Sequence, residues 1–576
     1  RYAPLGGQFR TQDYDRERLG LAFAAQWESL DERSLLTLQY LRPESTSAWG
    51  EHSFEAAPDL SEYETYPAGC RQNTGSPQGR PRAECPVGAL QNYQYDSDNV
   101  FESGFITLPG TGWRTGDSGS GATRVPTGGM QHSLSTRQVD DTNVVADYGL
   151  NFRFTPDDHW QFNFDAQHVR AEHETLDVSV FGSNFADQEL DLTGNFPVIT
   201  PHKPLTLSAT WAAPNPEMAA QNDEQYFTDR RWTFWRAAMD HIEDSVGEEW
   251  ATRADLGYNF DDGGFLRRIK FGARYSDRDQ TIRYTTYNWG AISEVWSGTA
   301  VFMDQAGTER SSFFEYDNFF RGQTPGPIGG YHYNRDLIGG YRDSAEFFKS
   351  LNDYWHNVNG AGATNRWVPL NERAGVVPGI DFLPSEIQTV SERNLAAYLM
   401  ASFGSDEPIF GDVRLSGNIG VRYVNTRLES EGAFTIPSAA AIGVSDPFAV
   451  RCAVQPPPPG APPGTPPSQP GGVCVLGEQG YNDLATWAGA GSNSPNTAVN
   501  EYDYFLPSLN LKFDITDEII LRFAASRALA RPSLADVRNF IQTGFDGNTG
   551  ALNTTAGNPF LDPALSDQFD LGLEWY

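Results

Sequence analysis

The feature that most constrains this sequence is a strict alternation of apolar and polar residues that recurs in short segments along the whole chain. In the first segment Leu19, Leu21 and Phe23 alternate with small or polar residues. Successive side chains of a β-strand point to opposite faces, so each segment predicts a strand with one apolar face. The eleven segments are 19–27, 36–40, 148–154, 160–164, 254–260, 269–275, 395–403, 413–423, 509–513, 519–525 and 569–575.

The connections between these segments are alternately short and long. Short turns join them in pairs, whereas loops longer than about 12–15 residues, which are uncommon in compact domains, follow every second segment. Short turns at one rim and long loops at the other are typical of an antiparallel transmembrane β-barrel, so we expect an all-β fold of this kind. The long connections are 43–143, 171–248, 285–390, 430–500 and 532–565.

The polar faces of the same segments carry charged residues, such as Arg153, Asp165, Lys270 and Lys512. An Arg or Lys that faces the middle of a bilayer costs about 2–4 kcal/mol. The apolar face is therefore expected to meet lipid, and the charged face is expected to line the barrel interior.

Composition excludes several other classes of protein. The formal net charge of −33 excludes a general nucleic-acid binder, because phosphate neutralisation needs a basic surface. No run approaches the roughly 20 apolar residues of a membrane helix. The sequence shows no phosphate loop, dinucleotide fingerprint or metal-ligand spacing, so it predicts neither an enzyme nor a bound cofactor or metal.

The four cysteines form two close pairs in irregular stretches, Cys70 with Cys85 and Cys452 with Cys474. Two disulfides within loops fit an oxidising compartment, and four unrelated free thiols are the alternative. Most tryptophans lie in the long connections. Flat aromatic faces beside Asp, Asn and Arg suit the C–H faces of sugar rings, although the same rings can instead pack the loops against each other. The candidates for substrate binding are Trp232, Trp235, Trp289, Trp296 and Trp355.

Residues 505–534 (FLPSLNLKFDITDEIILRFAASRALARPSL) and 557–576 (GNPFLDPALSDQFDLGLEWY) resemble barrel segments of TonB-dependent receptors. Residues 263–279 and 417–426 are similar to strands of the same family. The subgroup that the sequence resembles is that of the large receptors of Caulobacter- and Xanthomonas-like bacteria, several of which are linked to carbohydrate uptake.

The resemblance implies a 22-stranded barrel in the outer membrane of a Gram-negative bacterium, closed by an N-terminal plug domain that the TonB–ExbB–ExbD complex moves. We therefore expect residues 1–576 to be a barrel domain with about half of the strands, a fragment without the plug and the final strands. The resemblance also implies that luminal charges hold the plug. That role is carried over to Arg253, Asp255, Arg274, Arg422 and Arg522.

The leading hypothesis is TonB-dependent import of a nutrient, namely an oligosaccharide, with outer-membrane lipid, the plug and the TonB complex as partners. Ferric-siderophore uptake is the alternative within transport. An unplugged porin-like or adhesin barrel and a secreted β-rich glycosidase remain as other classes. The glycosidase would need two carboxylates in one cleft, and the sequence does not select a pair.

Overall fold

We describe a computed structural model of the chain. The residues described are 1–56, 66–68, 88–107, 124–126, 128–204, 216–261, 264–295, 299–357, 367–409, 411–439, 442–454, 456–457, 464, 466–467, 472–489, 492–546 and 551–576.

The structure is dominated by long β-strands, with short strands and helices in the connections between them. The strands are β1 (Gln8–Glu28), β2 (Ser34–Ala56), β3 (Tyr66–Ala68), β4 (Gln94–Tyr95), β5 (Phe101–Thr107), β6 (Met130–Phe154), β7 (Trp160–Asp191), β8 (Val198–His202), β9 (Phe234–Asn259), β10 (Leu266–Arg283), β11 (Asn288–Ala291), β12 (Val301–Phe302), β13 (Ser311–Phe314), β14 (Gly330–Tyr333), β15 (Ile387–Gly404), β16 (Arg414–Ile436), β17 (Ser492–Asp514), β18 (Ile519–Ala530), β19 (Ile541–Asp546), β20 (Ala551–Ala556) and β21 (Ala564–Trp575).

The α-helices are α1 (Pro216–Ala220), α2 (Asp223–Phe227), α3 (Tyr341–Asn357), α4 (Phe448–Arg451) and α5 (Gly477–Ala488). Single turns of 3₁₀-helix lie at Arg230–Trp232, Thr308–Arg310, Phe320–Gly322, Leu370–Glu372, Pro384–Glu386 and Gly472–Leu476. None of the helices in the described ranges is long and apolar enough to cross a membrane.

Eleven of the strands form one antiparallel sheet, in the order β1, β2, β6, β7, β9, β10, β15, β16, β17, β18 and β21. Each of the eleven predicted segments coincides with one of these strands, so the predicted antiparallel β architecture is confirmed. Within the described residues β1 pairs only with β2 and β21 only with β18, and the sheet is therefore open at both edges.

The apolar face of this sheet is exposed, as a lipid-facing surface requires. Phe271 is 51% exposed, Leu399 53% and Phe569 75%, although side chains of this kind are normally buried in a water-soluble protein. The continuous register keeps all of them on one face, because partners across a ladder point the same way. The charged residues lie on the opposite face, which we call the luminal face.

The strands extend well beyond the segments that the sequence predicted. Residues 43–56, 130–143, 171–191 and 234–248, which the alternation assigned to long connections, continue β2, β6, β7 and β9. The prediction of loops there was wrong because these upper parts are not bounded by lipid. Both of their faces are polar or packed against protein, and the apolar–polar alternation disappears.

Above the apolar band, a large part of the long connections packs on the outward face of the sheet. Val178 and Val180 of β7 share a buried cluster with Phe348 and Trp355 of α3. They lie an even number of residues from the lipid-facing Phe162 on the same strand, so their side chains are on the same face as Phe162. We call residues 300–357 and 367–386 the outer cap. Gly330 allows its β14 to approach the sheet, since a Cβ there would lie 2.1 Å from a methyl carbon of Leu134.

Candidate ligand-binding and plug-facing residues of the luminal face

The luminal face at membrane level carries a network centred on Asp255, whose side chain is 3% exposed. Arg253 Nη2 lies 2.7 Å from Asp255 Oδ2, and Lys270 Nζ lies 3.9 Å from the same oxygen. Tyr398 on β15 donates its hydroxyl to Asp255 Oδ1 at 2.6 Å. Gly272 is on β10, the strand between β9 and β15. It leaves room for this hydrogen bond, because a Cβ at this position would lie 2.3 Å from Asp255 Oδ1. Three adjacent strands are thus joined through one carboxylate.

The other charges predicted to contact the plug lie on the same face. Arg274 pairs with Glu249 at 3.5 Å, and Arg522 pairs with Glu574 at 2.9 Å. Arg422 lies opposite Tyr398 in the ladder, which also places it on the luminal face. The five residues are therefore distributed over four strands of one wall. Their contact with a plug stays a prediction.

Higher on the luminal face, four aromatic rings and the guanidinium of Arg137 follow one another in a continuous chain. The guanidinium carbon of Arg137 lies 5.0 Å from the ring centre of Trp49 and 5.9 Å from that of Tyr287. The ring of His241 follows at 4.5 Å from Tyr287 and 4.7 Å from Tyr284. We call these five residues the luminal aromatic chain.

A residue from far along the sequence extends this chain. Arg538, which follows β18, lies 5.8 Å from the ring of Tyr284 and 5.2 Å from that of Phe540. At the other end the ring of Tyr14 stacks on Trp49 with their centres 5.9 Å apart. Tyr14 is 58% exposed and Tyr287 48%, so ring faces are available to a ligand on the luminal side.

Arg137 and Glu243 have ionic partners at the luminal aromatic chain. Arg137 binds Asp177 through two nitrogens at 2.9 and 2.5 Å, and Asp177 is 3% exposed. The two carboxylate oxygens of Glu243 each lie 3.1 Å from an imidazole Nε2, one from that of His173 and the other from that of His241. The hydrogen bond from His241 holds the pKa of Glu243 below its usual value. Within the described ranges, no three His, Cys, Asp or Glu residues are arranged to hold a metal ion.

The five candidate tryptophans have different environments. Trp232, Trp235 and Trp355 are 7%, 0% and 0% exposed, so they pack the connections together and offer no ring face to a ligand. Trp289 is 42% exposed, and Arg236 lies 5.6 Å over its ring. Its role in binding stays a prediction. Trp296 lies outside the described residues.

A disulfide joins Cys452 to Cys474, with their Cα atoms 5.4 Å apart, as predicted. It links the end of α4 to the turn before α5 and lies in a buried cluster with Tyr481 and Leu484. The second predicted pair, Cys70 and Cys85, lies outside the described residues.

His202 connects β8 to two other elements through buried ionic contacts. Its Nε2 lies 2.8 Å from Glu189 on β7, and its Nδ1 lies 2.7 Å from Asp223 at the start of α2. Burial alone would lower the pKa of His202. The hydrogen bonds to Asp223 and Glu189 outweigh burial and raise the pKa to about 9.

Because this pKa is above the unfolded value of about 6.5, the imidazolium stabilises β8 and α2 fully below pH 6.5. The stabilisation should be lost as pH rises through about 9. Hydrogen exchange, corrected for its intrinsic pH dependence, should show α2 losing protection over this range. His202→Gln should remove that pH dependence. Equal loss in the variant and the wild type would contradict the role of His202.

The sequence profile described as "TonB dependent receptor-like, beta-barrel" matches residues 178–576, which is more than half of the chain. The chain belongs to the TonB-dependent receptor family. Members of this family are outer-membrane transport proteins of Gram-negative bacteria, and the outer membrane is the location of this receptor. No curated protein matches the sequence.

The comparison with solved structures matched three receptors. The siderophore receptor PiuA of Acinetobacter baumannii is 10% identical, with 97% of this chain and 54% of that chain covered and a TM-score of 0.23. The ferric-catecholate import receptor Fiu of E. coli K12 is 9% identical, with 96% and 55% covered and a TM-score of 0.27. The hemophore receptor HasR of Serratia marcescens, a double mutant in complex with HasA and heme, is 8% identical, with 96% and 50% covered and a TM-score of 0.24. The receptor chain described here spans about half the length of these structures.

Sequence reasoning missed the luminal aromatic chain of this TonB-dependent receptor. Its members come from β2, β6, β9 and the segment between β10 and β11, and no local motif joins them. The alternation of side chains along a strand could have indicated it. Residues an even number of positions apart on one strand share a face, and this rule places Trp49, Arg137 and His241 on the luminal face.

Proposed function

We propose that this receptor imports an oligosaccharide across the outer membrane in a TonB-dependent manner. The observation that supports this most directly is the luminal aromatic chain, which presents half-exposed ring faces beside hydrogen-bonding carboxylates and imidazoles on the luminal side. Sugar rings stack their C–H faces on such aromatic rings, while their hydroxyl groups bond to the polar side chains.

The charge pattern favours a neutral sugar over an anionic ferric complex. Arg137 is held by Asp177, and Arg10 lies 3.3 Å from Glu51, so these two guanidinium groups already have carboxylate partners. Glu243 adds a further negative charge. An anionic ligand would have to displace these pairs, whereas a neutral ligand would leave them in place.

In this proposal, the luminal wall around Asp255 and Arg274 holds the plug beneath the bound sugar. These side chains are suited to that task because Arg274 is 49% exposed and Arg253 45%, which leaves donors free to bond to a second domain. The TonB–ExbB–ExbD complex would supply the force that moves the plug, and the sugar would then pass along the luminal face.

Two substitutions that each remove one aromatic ring test the binding site, in the receptor produced from its intact gene. The probes are malto-, cello-, xylo- and manno-oligosaccharides, with a ferric tris-catecholate as the competing ligand class, measured by isothermal titration calorimetry. Tyr287→Ala and Trp49→Ala should each weaken sugar binding about tenfold, because one lost ring contact removes about 1.4 kcal/mol.

Tyr275→Ala is the matched control for this experiment, because Tyr275 is a similarly exposed ring on the outward face. The affinity of the Tyr275→Ala receptor for the sugar should equal that of the wild type. Binding of the ferric complex with no binding of any of the sugars would instead identify a siderophore receptor.

A further inference from the structure

Two histidines meet at the boundary between the sheet and the outer cap. His52 lies on β2 and is opposite Thr136 in the ladder with β6, on the outward face that carries Leu134. His332 lies on β14 of the outer cap and is 1% exposed. The centres of the two imidazole rings are 5.1 Å apart, in an edge-to-face arrangement. We call these two residues the latch histidines.

Aromatic side chains of the outer cap enclose the latch histidines. The ring of Phe314 on β13 stacks on His52 with their centres 4.2 Å apart, and it meets the ring of His332 edge-on at 5.8 Å. The ring of the buried Tyr316 lies 6.1 Å from His332. The two imidazoles therefore have aromatic rings where exposed histidines have water.

The hydrogen bonds of His332 connect the outer cap to the sheet. Its Nδ1 lies 3.2 Å from the carbonyl oxygen of Ser135 on β6, and its Nε2 lies 3.4 Å from the hydroxyl of Tyr316. Next to it, Thr136 donates its hydroxyl to the carbonyl oxygen of Tyr333 at 3.3 Å. The β13–β14 hairpin is thus bound to β6 directly beside the two imidazoles.

The carboxylates of the described surrounding segments do not form ion pairs with the latch histidines. Glu51 is held by Arg10 at 3.3 Å, and Asp177 is held by Arg137. An imidazolium at either position would lack a carboxylate partner, and two imidazolium ions would repel each other across the boundary. The charged or titratable groups of the surrounding segments are Arg10 and Asp13 on β1, Glu51 and Glu55 on β2, His132 and Arg137 on β6, Asp177 and Asp187 on β7, Glu315, Tyr316 and Asp317 after β13, and Tyr331 and Tyr333 on β14.

Both latch histidines are held in the neutral form. Burial and the neighbouring His52 lower the pKa of His332 to about 3, and the hydrogen bond to the Ser135 carbonyl opposes them only in part. Burial also lowers the pKa of His52, and the opposing effect of Asp13 is smaller. Because both pKa values are below the unfolded value of about 6.5, the closed form binds fewer protons than an open form. The resulting stabilisation is complete above about pH 6.5 and is lost as the pH falls toward about 3.

We propose that the β13–β14 hairpin is an acid-released latch of the outer cap. It stays on the sheet while His52 and His332 are neutral, and it opens when the medium outside the cell becomes acidic and both imidazoles take up protons. Opening separates the two positive charges and hydrates each of them. It also uncovers Phe54 and Leu134, which lie beneath Gly330 in the closed form.

The other part of the outer cap is attached in a way that does not depend on imidazoles. The helix α3 packs on β7 and β9 through a buried cluster that includes Val178, Trp235, Phe348 and Trp355. No histidine is among the described members of this cluster. The hairpin should therefore open in acid while α3 stays on the sheet.

Hydrogen exchange of the receptor produced from its intact gene, in mild detergent at pH 7.5 and 5.0, tests the latch. After correction for the intrinsic pH dependence of exchange, the opening equilibrium of β13 and β14 should rise about 30-fold at pH 5.0 through His332 alone, and further through His52. The protection of α3 should be the same at both pH values. The double variant His52→Gln with His332→Gln should show no change of hairpin protection with pH, because glutamine does not titrate.

His52→Gln alone is a second variant, since it leaves the hydrogen bond between His332 and Ser135 in place. Its hairpin should be closed at pH 7.5 and should open less at pH 5.0 than that of the wild type. His356→Gln removes an outer-cap histidine on α3 and is the matched control, with the same response to pH as the wild type. Equal protection of the wild-type hairpin at both pH values would overturn the proposal, as would a simultaneous loss of protection in α3. A double variant that keeps the wild-type response would overturn it as well.

Discussion

Leu399→Arg is expected to destabilise the folded barrel by about 2–4 kcal/mol, which corresponds to a 30- to 1,000-fold change in the folding equilibrium. Leu399 lies on the outward face of β15, between Ala397 and Ala401, and is 53% exposed in the absence of lipid. In the membrane its substitution places a guanidinium among acyl chains. Urea titration of the receptor in lipid vesicles, followed by tryptophan fluorescence, measures the effect.

The neighbouring position supplies the matched control for this prediction. Met400 lies on the same strand but faces the lumen, because it is opposite the luminal Gly420 and Lys270 in the ladders. Met400→Arg should therefore change stability by much less than Leu399→Arg. Equal destabilisation by the two variants would mean that the outward face does not meet lipid.

Trp355→Ala should destabilise the outer cap by about 3–5 kcal/mol, the usual cost of removing a buried aromatic side chain. Trp355 is 0% exposed and lies in the cluster that joins α3 to the outward face of β7 and β9. Removal leaves a cavity between the helix and the sheet. Hydrogen exchange should show α3 opening locally, while β15 and β16 keep their protection.

Trp289→Ala is the control for cavity formation, since that ring is 42% exposed and its loss leaves no enclosed void. It should leave the exchange of α3 unchanged. If α3 remained as protected in Trp355→Ala as in the wild type, the outer cap would not depend on its packing against the sheet.

The strands that meet lipid could be predicted from sequence because the bilayer imposes a period of two on every one of them. The segment 395–403, for example, alternates Leu, Ala, Leu, Ala and Phe on one face, and β15 includes all of it. The same rule placed Arg253 and Asp255 on the luminal face, and their ion pair lies there. These predictions were possible because charged side chains are excluded from the lipid-facing surface.

The upper half of the molecule could not be predicted in this way. Val178 and Val180 follow the same parity as the lipid-facing residues of β7, but protein from α3 covers them, and no local pattern names that partner. Trp235 and Trp355 are of a residue type that suits ligand binding, but both side chains are buried. Contacts between residues more than a hundred positions apart decide these environments.

The outer cap also affects how the receptor shares the membrane with its neighbours. Since residues 300–357 and 367–386 pack on the outer side of β6, β7 and β9, the molecule is wider above the bilayer on that flank than within it. Other membrane proteins approaching this flank would meet the overhang before the two barrels touched. The outer cap therefore hinders close side-by-side packing on the flank formed by β6, β7 and β9.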